Sequence, residues 1–176
     1  GVPLPVGASY PGSNPVCGAA GSEAGAIGVV QPFSLTYVHG HDFRAGLALI
    51  RKLTSKPIGF NALIEQSSRI YRERMEKWIE ISLDEGVRFF VTSLGNPKWV
   101  CERVHAVGGV VYHDVTERKW AQKGIDGGVD GLIAVTDRAG GHRGGVSPAN
   151  LFDERAGMGV PPASPGALGP PKGSVA

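Results

Sequence analysis

Short runs of apolar, β-branched and aromatic residues recur along the chain, and most are followed by a longer segment with helical periodicity. The four clearest runs each have the length of one β-strand and cover residues 56–64, 87–93, 109–115 and 131–136. Two weaker runs, at 2–8 and 160–163, bring the prediction to six strands. The pattern therefore predicts a series of about six strand–helix units.

Amphipathic helices are predicted in the segments between these runs, because apolar residues recur there at intervals of three and four. The predicted apolar faces comprise Phe43, Leu47 and Ile50; Tyr71, Met75, Trp78 and Ile79; Val100, Val104 and Val107; and, less regularly, Ala121 and Ile125. The three tryptophans fall on such faces, and we expect Trp78, Trp99 and Trp120 to pack against the sheet.

Strands that are separated by single helices must run parallel, because a parallel partner is reached only through a crossover of a dozen or more residues. This predicts an α/β fold, either an open doubly wound sheet or a closed barrel, and the pattern alone does not decide between them. A chain of 176 residues with 41% apolar residues suits one core. We therefore expect one domain over residues 1–176.

Composition excludes several classes of function. The formal net charge is +2 and the basic residues are scattered, which argues against nucleic acid or a membrane surface as a partner. No apolar run approaches the roughly 20 residues that span a bilayer. Cys17 and Cys101 are too few for a disulfide framework, and no activating partner for Cys101 is visible. These features favour a cytoplasmic protein.

Polar or glycine-rich residues stand at the ends of the predicted strands, where ligands bind in parallel βα folds. They include Asn61, Ser93, His113 and Asp114, and the glycine-rich run 136–145. Paired glycines such as Gly140 and Gly141 allow backbone amides to approach an anionic or planar ligand, because no Cβ blocks the way. These strand ends are the candidate site.

The pair His39 and His41 offers two imidazoles that could bind a metal ion. No third histidine or carboxylate-rich pattern accompanies the pair, so we expect a solvated loop before the first predicted amphipathic helix and no metal site.

The glycine-rich run completes a set of motifs that resembles the nitronate monooxygenase (2-nitropropane dioxygenase) family. Ala139-Gly140-Gly141-His142-Arg143-Gly144 matches its Ala-Gly-Gly-His-x-Gly motif, after a strand counted as the fifth. Four further motifs occur in the family's order: the turn at 22–28, Pro-x-Gly-x-Asn at 57–61, the loop at 92–97, and 113–116. The resemblance covers most of residues 1–170 and is strongest over 40–145.

The resemblance implies a (β/α)₈ barrel of which about six units are present, with FMN as cofactor. It implies oxidation of alkyl nitronates or nitroalkanes by dioxygen to a carbonyl compound and nitrite. His142 would be the catalytic base or would stabilise the anionic nitronate, a role that suits an imidazole near neutral pH. The implied cofactor-binding residues are Asn61, Ser93, His113, Asp114, Ala139, Gly140, Gly141, Gly166 and Ala167.

The two ends of the chain depart from the family's pattern. Residues 5–12 lack the family's Met-containing segment, and 161–169 carry prolines and Ala167 where the family has a glycine-rich phosphate turn. A complete barrel typically takes roughly 250 residues. We therefore expect the last strands to be missing, weak FMN retention, and self-association through an open barrel edge.

Two alternatives remain open. A flavin-dependent enoyl reductase shares the barrel and a similar Gly-Gly-His string, and it would need NAD(P)H. A non-catalytic remnant of the barrel would explain the degraded motifs at both ends.

Overall fold

A computed structural model describes residues 5–7, 12–65, 68–136, 144–145, 147 and 162–163. These residues contain seven parallel strands in one sheet, whose spatial order is their order in the chain. The strands are β1 (Pro5–Val6), β2 (Ile27–Val30), β3 (Ile58–Leu63), β4 (Phe89–Ser93), β5 (Val110–Val115), β6 (Gly131–Ala134) and β7 (Pro162–Ala163).

Helices connect the strands. They are α1 (Pro15–Glu23), a π-helical turn (Ser34–Val38), α2 (Phe43–Leu53), α3 (Arg69–Asp84), α4 (Lys98–His105) and α5 (Arg118–Asp126). Side-chain caps fix three of the helix starts. Asn14 Oδ1 accepts from the Cys17 amide at 2.9 Å, Asp42 Oδ1 from the Ala45 amide at 3.1 Å, and Ser68 Oγ from the Tyr71 amide at 3.4 Å. No described helix is both long enough and apolar enough to cross a bilayer.

The strand order decides between the two predicted architectures. A doubly wound sheet reverses its strand order at a switch point, whereas a (β/α)₈ barrel keeps the order of the chain. The described sheet keeps that order from β1 to β7. The predicted partial (β/α)₈ barrel is therefore confirmed.

Two apolar clusters mark the two faces of the sheet. The larger one joins the helices to the outward side chains of the strands, with Phe60, Phe90 and Val111 at 0% exposure. The smaller cluster contains only strand residues: Val29, Phe89, Val91, Tyr112 and Ile133, with Ile27 packed against them. Since side chains alternate between faces along a strand, the second cluster lies on the inner, concave face.

The connection between α1 and β2 is very tight. A Cβ on Gly28 would lie 1.8 Å from the carbonyl oxygen of Gly18, so only glycine fits in β2 at this point. Ser22 closes the same corner: its hydroxyl donates to the Pro57 carbonyl at 2.7 Å and accepts from the Gly28 amide at 3.0 Å. The motif at 22–28 therefore fastens α1, β2 and β3 together.

The structure corrects several sequence predictions. β2 and α1 were not predicted, so each strand from β3 onward is one place later in the barrel than its motif implied. Val107 lies beyond the end of α4 and is 45% exposed, which removes it from the predicted apolar face. Trp120 is 41% exposed, with the ammonium groups of Lys119 and Lys123 5.0 and 5.5 Å from its ring centre. Trp78 and Trp99 do pack against the core.

Candidate functional site

Three of the sequence-predicted site residues lie on the inner face of the sheet. Phe60, Phe90 and Val111 face the helices, so the alternation places Asn61 of β3, Ser93 of β4 and Asp114 of β5 on the opposite side. The strand register pairs Leu63 with Ser93 and Thr92 with His113, which makes Ser93 and Asp114 lateral neighbours near the carboxyl ends. We call Asn61, Ser93 and Asp114 the inner polar row.

Asn61 lies within β3 and pairs in register with Val91, so it does not follow the strand as its apolar run suggested. Its side-chain oxygen is buried and has no hydrogen-bond partner among the described residues. Buried amide oxygens are nearly always paired, because an unpaired one loses its water without compensation. The unpaired Oδ1 of Asn61 can therefore accept a hydrogen bond from a further group.

Asp114 is half-buried and pairs in register with Ile133 of β6. No hydrogen bond or ion pair joins its carboxyl to a described residue. Burial raises the pKa of the Asp114 carboxyl from 3.8 to about 7, because the charged form loses hydration. The group can therefore change its protonation state near neutral pH.

His113 lies on the helix side of β5, on the opposite face from Asp114. Its Nδ1 lies 2.8 Å from the Thr92 hydroxyl, and a Cβ on Gly124 of α5 would lie 3.1 Å from its Cδ2. Burial lowers the pKa of His113 to about 4, helped by the charge of Lys123, so the imidazole is neutral at pH 7. The inner polar row therefore does not include His113, which joins β4, β5 and α5.

An apolar floor lies next to the inner polar row. The rings of Phe89 and Tyr112 lie 5.3 Å apart, and Val91 and Ile133 belong to the same cluster. A Cβ on Gly131 would lie 2.6 Å from the Tyr112 ring, so glycine at this position lets the ring lie flat against β6. A floor of this kind can support a planar ligand while the polar row fixes its orientation.

The loop from β4 to α4 holds a strained residue at the carboxyl end of the sheet. Leu94 has φ +58°, a conformation that is an outlier for a residue with a bulky side chain, and it is 59% exposed. Gly95 follows at φ +130°, and a Cβ there would lie 2.4 Å from the Ile64 carbonyl oxygen. Strained backbone of this kind is often found beside functional sites.

The ends of the glycine-rich segment meet at the carboxyl end of β6. The Gly144 amide donates to the Thr136 carbonyl at 3.1 Å, and the position of a Cβ on Gly144 lies 3.4 Å from the Thr116 Cβ, just beyond β5. Thr136 and Gly144, the described residues on either side of 137–143, therefore lie together beside β6. The predicted residues Ala139, Gly140, Gly141, His142, Gly166 and Ala167 lie outside the described residues.

Sequence inspection missed two residues at this end of the barrel. Gln31 follows β2, is buried, and accepts from the Ser34 amide at 2.7 Å, which starts the π-helical turn. The short apolar run 27–30 before Pro32 could have revealed it. No comparable sequence pattern marks Leu94, because a leucine does not indicate a positive φ.

His39 and His41 follow the π-helical turn and line a surface groove that also includes Val16, Leu49 and Leu53. Within the described ranges, no three His, Cys, Asp or Glu side chains gather closely enough to hold a metal ion. Cys101 is buried in α4, and burial raises the pKa of its thiol to about 12, which makes it unreactive.

The comparison with family models decides the identity of the chain. The model described as nitronate monooxygenase matches residues 5–158. The chain belongs to the nitronate monooxygenase family. The match spans β1 to β6 and the whole inner polar row, together with the segment that carries His142. No curated protein sequence matches the chain.

Solved structures agree with this family assignment at the level of the fold. FabK from Thermotoga maritima superposes with a TM-score of 0.75 at 23% identity, covering 92% of this chain and 50% of FabK. Nitroalkane oxidase from Streptomyces ansochromogenes gives 0.76 at 21% identity, covering 92% and 57%. The chain thus spans about half the length of these proteins.

Proposed function

We propose that this member of the nitronate monooxygenase family contributes to an FMN-dependent oxidoreductase that oxidises alkyl nitronates or nitroalkanes. Dioxygen is the proposed oxidant, and a carbonyl compound and nitrite are the proposed products. The observation that carries the proposal is the inner polar row, whose buried Asn61 oxygen lacks a partner beside an apolar floor. Membership of the family supports the choice of reaction.

The inner face suits the ring system of FMN. Val91, Tyr112 and Ile133 form an apolar layer on which a planar ring could rest, and the Asn61 amide oxygen can accept from a ring N–H at its edge. The Ser93 hydroxyl offers a second polar contact on the neighbouring strand. When bound, FMN supplies the electron-accepting chemistry, and the protein's part is binding and orientation.

The backbone around Ala139, Gly140 and Gly141 is proposed to contact FMN, and Gly166 and Ala167 are proposed to lie near its phosphate. These assignments rest on the motif resemblance and on the freedom of glycine-rich backbone to approach a ligand. The support from the described residues is the meeting of Thr136 and Gly144 at the carboxyl end of β6.

His142 is proposed as the base that takes the proton from the carbon beside the nitro group. It precedes Gly144 by two residues, a separation that a chain spans in about 7 Å. Gly144 itself is buried beside Thr116 and Val135, at the same end of the sheet as Asp114. The position of Gly144 supports the proposed role of His142.

Two substrates separate the possible roles of His142. Nitroethane must lose a proton before oxidation, whereas ethylnitronate has already lost it. With the full chain and saturating FMN, H142A should release nitrite from nitroethane about 10²- to 10⁴-fold more slowly, which is the usual contribution of a general base. Oxidation of ethylnitronate should change far less.

The matched control is His41→Ala. His41 lies by the surface groove, so its replacement should leave both rates unchanged. Equal losses on both substrates would assign His142 to binding of the anion. Unchanged rates on both would remove it from the site.

The same preparation separates the enoyl reductase alternative from the proposal. Consumption of NAD(P)H with an enoyl thioester, without nitrite release from either nitro compound, would contradict nitronate oxidation. No turnover in either assay with FMN bound would favour the non-catalytic alternative.

A further inference from the structure

Asp114 is a carboxyl group on the inner face without a partner among the described residues. Its neighbours in the sheet are Ser93 on β4 and Ile133 on β6, neither of which carries a charge. Tyr112, two residues earlier on β5, faces the same side and packs on Gly131. The carboxyl oxygens therefore need a partner from a ligand or solvent.

An ionised carboxylate in this position would be costly, because no described cation compensates its charge. Glu65 after β3 and Glu117 after β5 are titratable groups at this end of the barrel. In the sequence, Asp137, Arg138, His142 and Arg143 follow β6. Burial is the cause of the raised pKa of Asp114, which is about 7. At and below neutral pH, the Asp114 carboxyl is therefore protonated in a substantial fraction of the molecules, and a protonated carboxyl can donate a hydrogen bond.

We propose that Asp114 is a specificity-determining residue that, as a neutral carboxylic acid, donates a hydrogen bond to an anionic oxygen of the bound substrate. The inference rests on the proposed function, because it assigns Asp114 to the recognition of the nitronate anion. A neutral acid attracts a planar oxyanion, whereas the ionised form repels it. Ser93, its lateral neighbour, can donate to a second oxygen.

Binding of a stable anion tests this assignment without turnover. Propionate has the shape and charge of ethylnitronate and does not react, and propionamide is its neutral counterpart. Titration calorimetry on the full chain with saturating FMN should show propionate binding at least about tenfold more weakly at pH 8.5 than at pH 6, as Asp114 ionises. Propionamide binding should not vary in this way.

Variants identify the group that causes the pH dependence. D114N keeps an N–H donor without a titratable proton, so it should bind propionate equally at both pH values. D114A should bind weakly at both. H142A should retain the pH dependence, which separates the contribution of Asp114 from that of His142.

A measurement on the unaltered protein guards against variants that fail to fold. The ¹³C shift of the Asp114 carboxyl should titrate near neutral pH, and saturating propionate should move its midpoint upward, since the anion binds the protonated form. A midpoint that propionate leaves unchanged, or a pH dependence that persists in D114N, would overturn the assignment. Propionate recognition without nitronate turnover would instead contradict the proposed function and leave the role of Asp114 intact.

Discussion

The carboxyl of Asp114 makes folding depend on pH. Its pKa is raised to about 7 in the folded chain from 3.8, so the folded state holds a proton that the unfolded state releases between those values. Below pH 3.8 the carboxyl is neutral in both states and costs nothing. As pH rises towards 7, the free energy of unfolding falls. The loss is at most about 4 kcal/mol, because each unit of pKa difference is worth about 1.36 kcal/mol.

Replacing Asp114 with Asn should therefore stabilise the chain at pH 8 and change it little at pH 4. Urea unfolding at the two pH values measures the difference in unfolding free energy. Asp126→Asn changes an exposed carboxyl of α5 and provides the control. If D114N gained the same unfolding free energy at both pH values, the pKa of the Asp114 carboxyl would not be raised by burial.

Leu94 is the second residue whose substitution gives a clear expectation. Its φ of +58° costs a leucine about 1 kcal/mol, and its side chain is mostly exposed, so little packing is lost on removal. L94G should raise the free energy of unfolding by about 1 kcal/mol, measured by urea denaturation. L94A keeps the strain and should give no gain; equal effects of the two would show that the backbone is not strained.

At the scale of elements, the contact between α1 and β2 sets the position of β2 in the sheet. Gly28→Ala should destabilise the chain by about 3 kcal/mol, because a Cβ cannot share space with the Gly18 carbonyl 1.8 Å away. The midpoint of thermal unfolding measures the loss. Gly18→Ala provides a matched control on the other side of the contact.

A Cβ on Gly18 would lie 3.8 Å from the Ile50 Cδ1, an ordinary contact. Alanine also favours a helix over glycine by roughly 0.5–1 kcal/mol. Gly18→Ala should therefore leave stability unchanged or raise it. Similar losses in both variants would mean that the corner tolerates no added side chain of any kind.

Six of the seven described strands and four of the helices could be predicted from sequence. β1 and β7 lie in the two weaker runs, 2–8 and 160–163, whereas the patterns of the other predicted elements are long. β3 to β6 are runs of apolar residues bounded by glycine or charged residues, and α2 to α5 carry apolar residues at helical spacing. β2 has only four residues, and α1 contains Gly18 and Gly21 and no apolar stripe. Their stability comes from the tertiary contact at Gly28, which no local pattern reveals.

The faces of the strands could not be predicted. Strands of a parallel sheet are buried on both sides, so β5 shows no polar and apolar alternation that would separate His113 from Asp114. Both residues were expected near the cofactor. Only the packing of β5 against α5 shows that the imidazole faces the helices and the carboxyl faces the barrel interior.

At the scale of the whole molecule, the order of the motifs carried the prediction of the fold. The motifs at 22–28, 92–97 and 113–116 each include a corner or strand end of the described partial barrel, and the family match over residues 5–158 agrees with them. Parallel strands bring their carboxyl ends to one edge, so residues 61, 93 and 114 face the same side of the sheet although they are far apart in the chain.

We propose that this carboxyl edge of the inner face binds the flavin. Titration of the ¹⁵N-labelled chain with FMN, followed by amide chemical shifts, tests it directly. The largest changes are expected at Ser93, Asp114 and Thr116, with little change at the amino ends of the same strands. Changes confined to the groove beside His39 and His41, or to the amino ends of the strands, would contradict the claim.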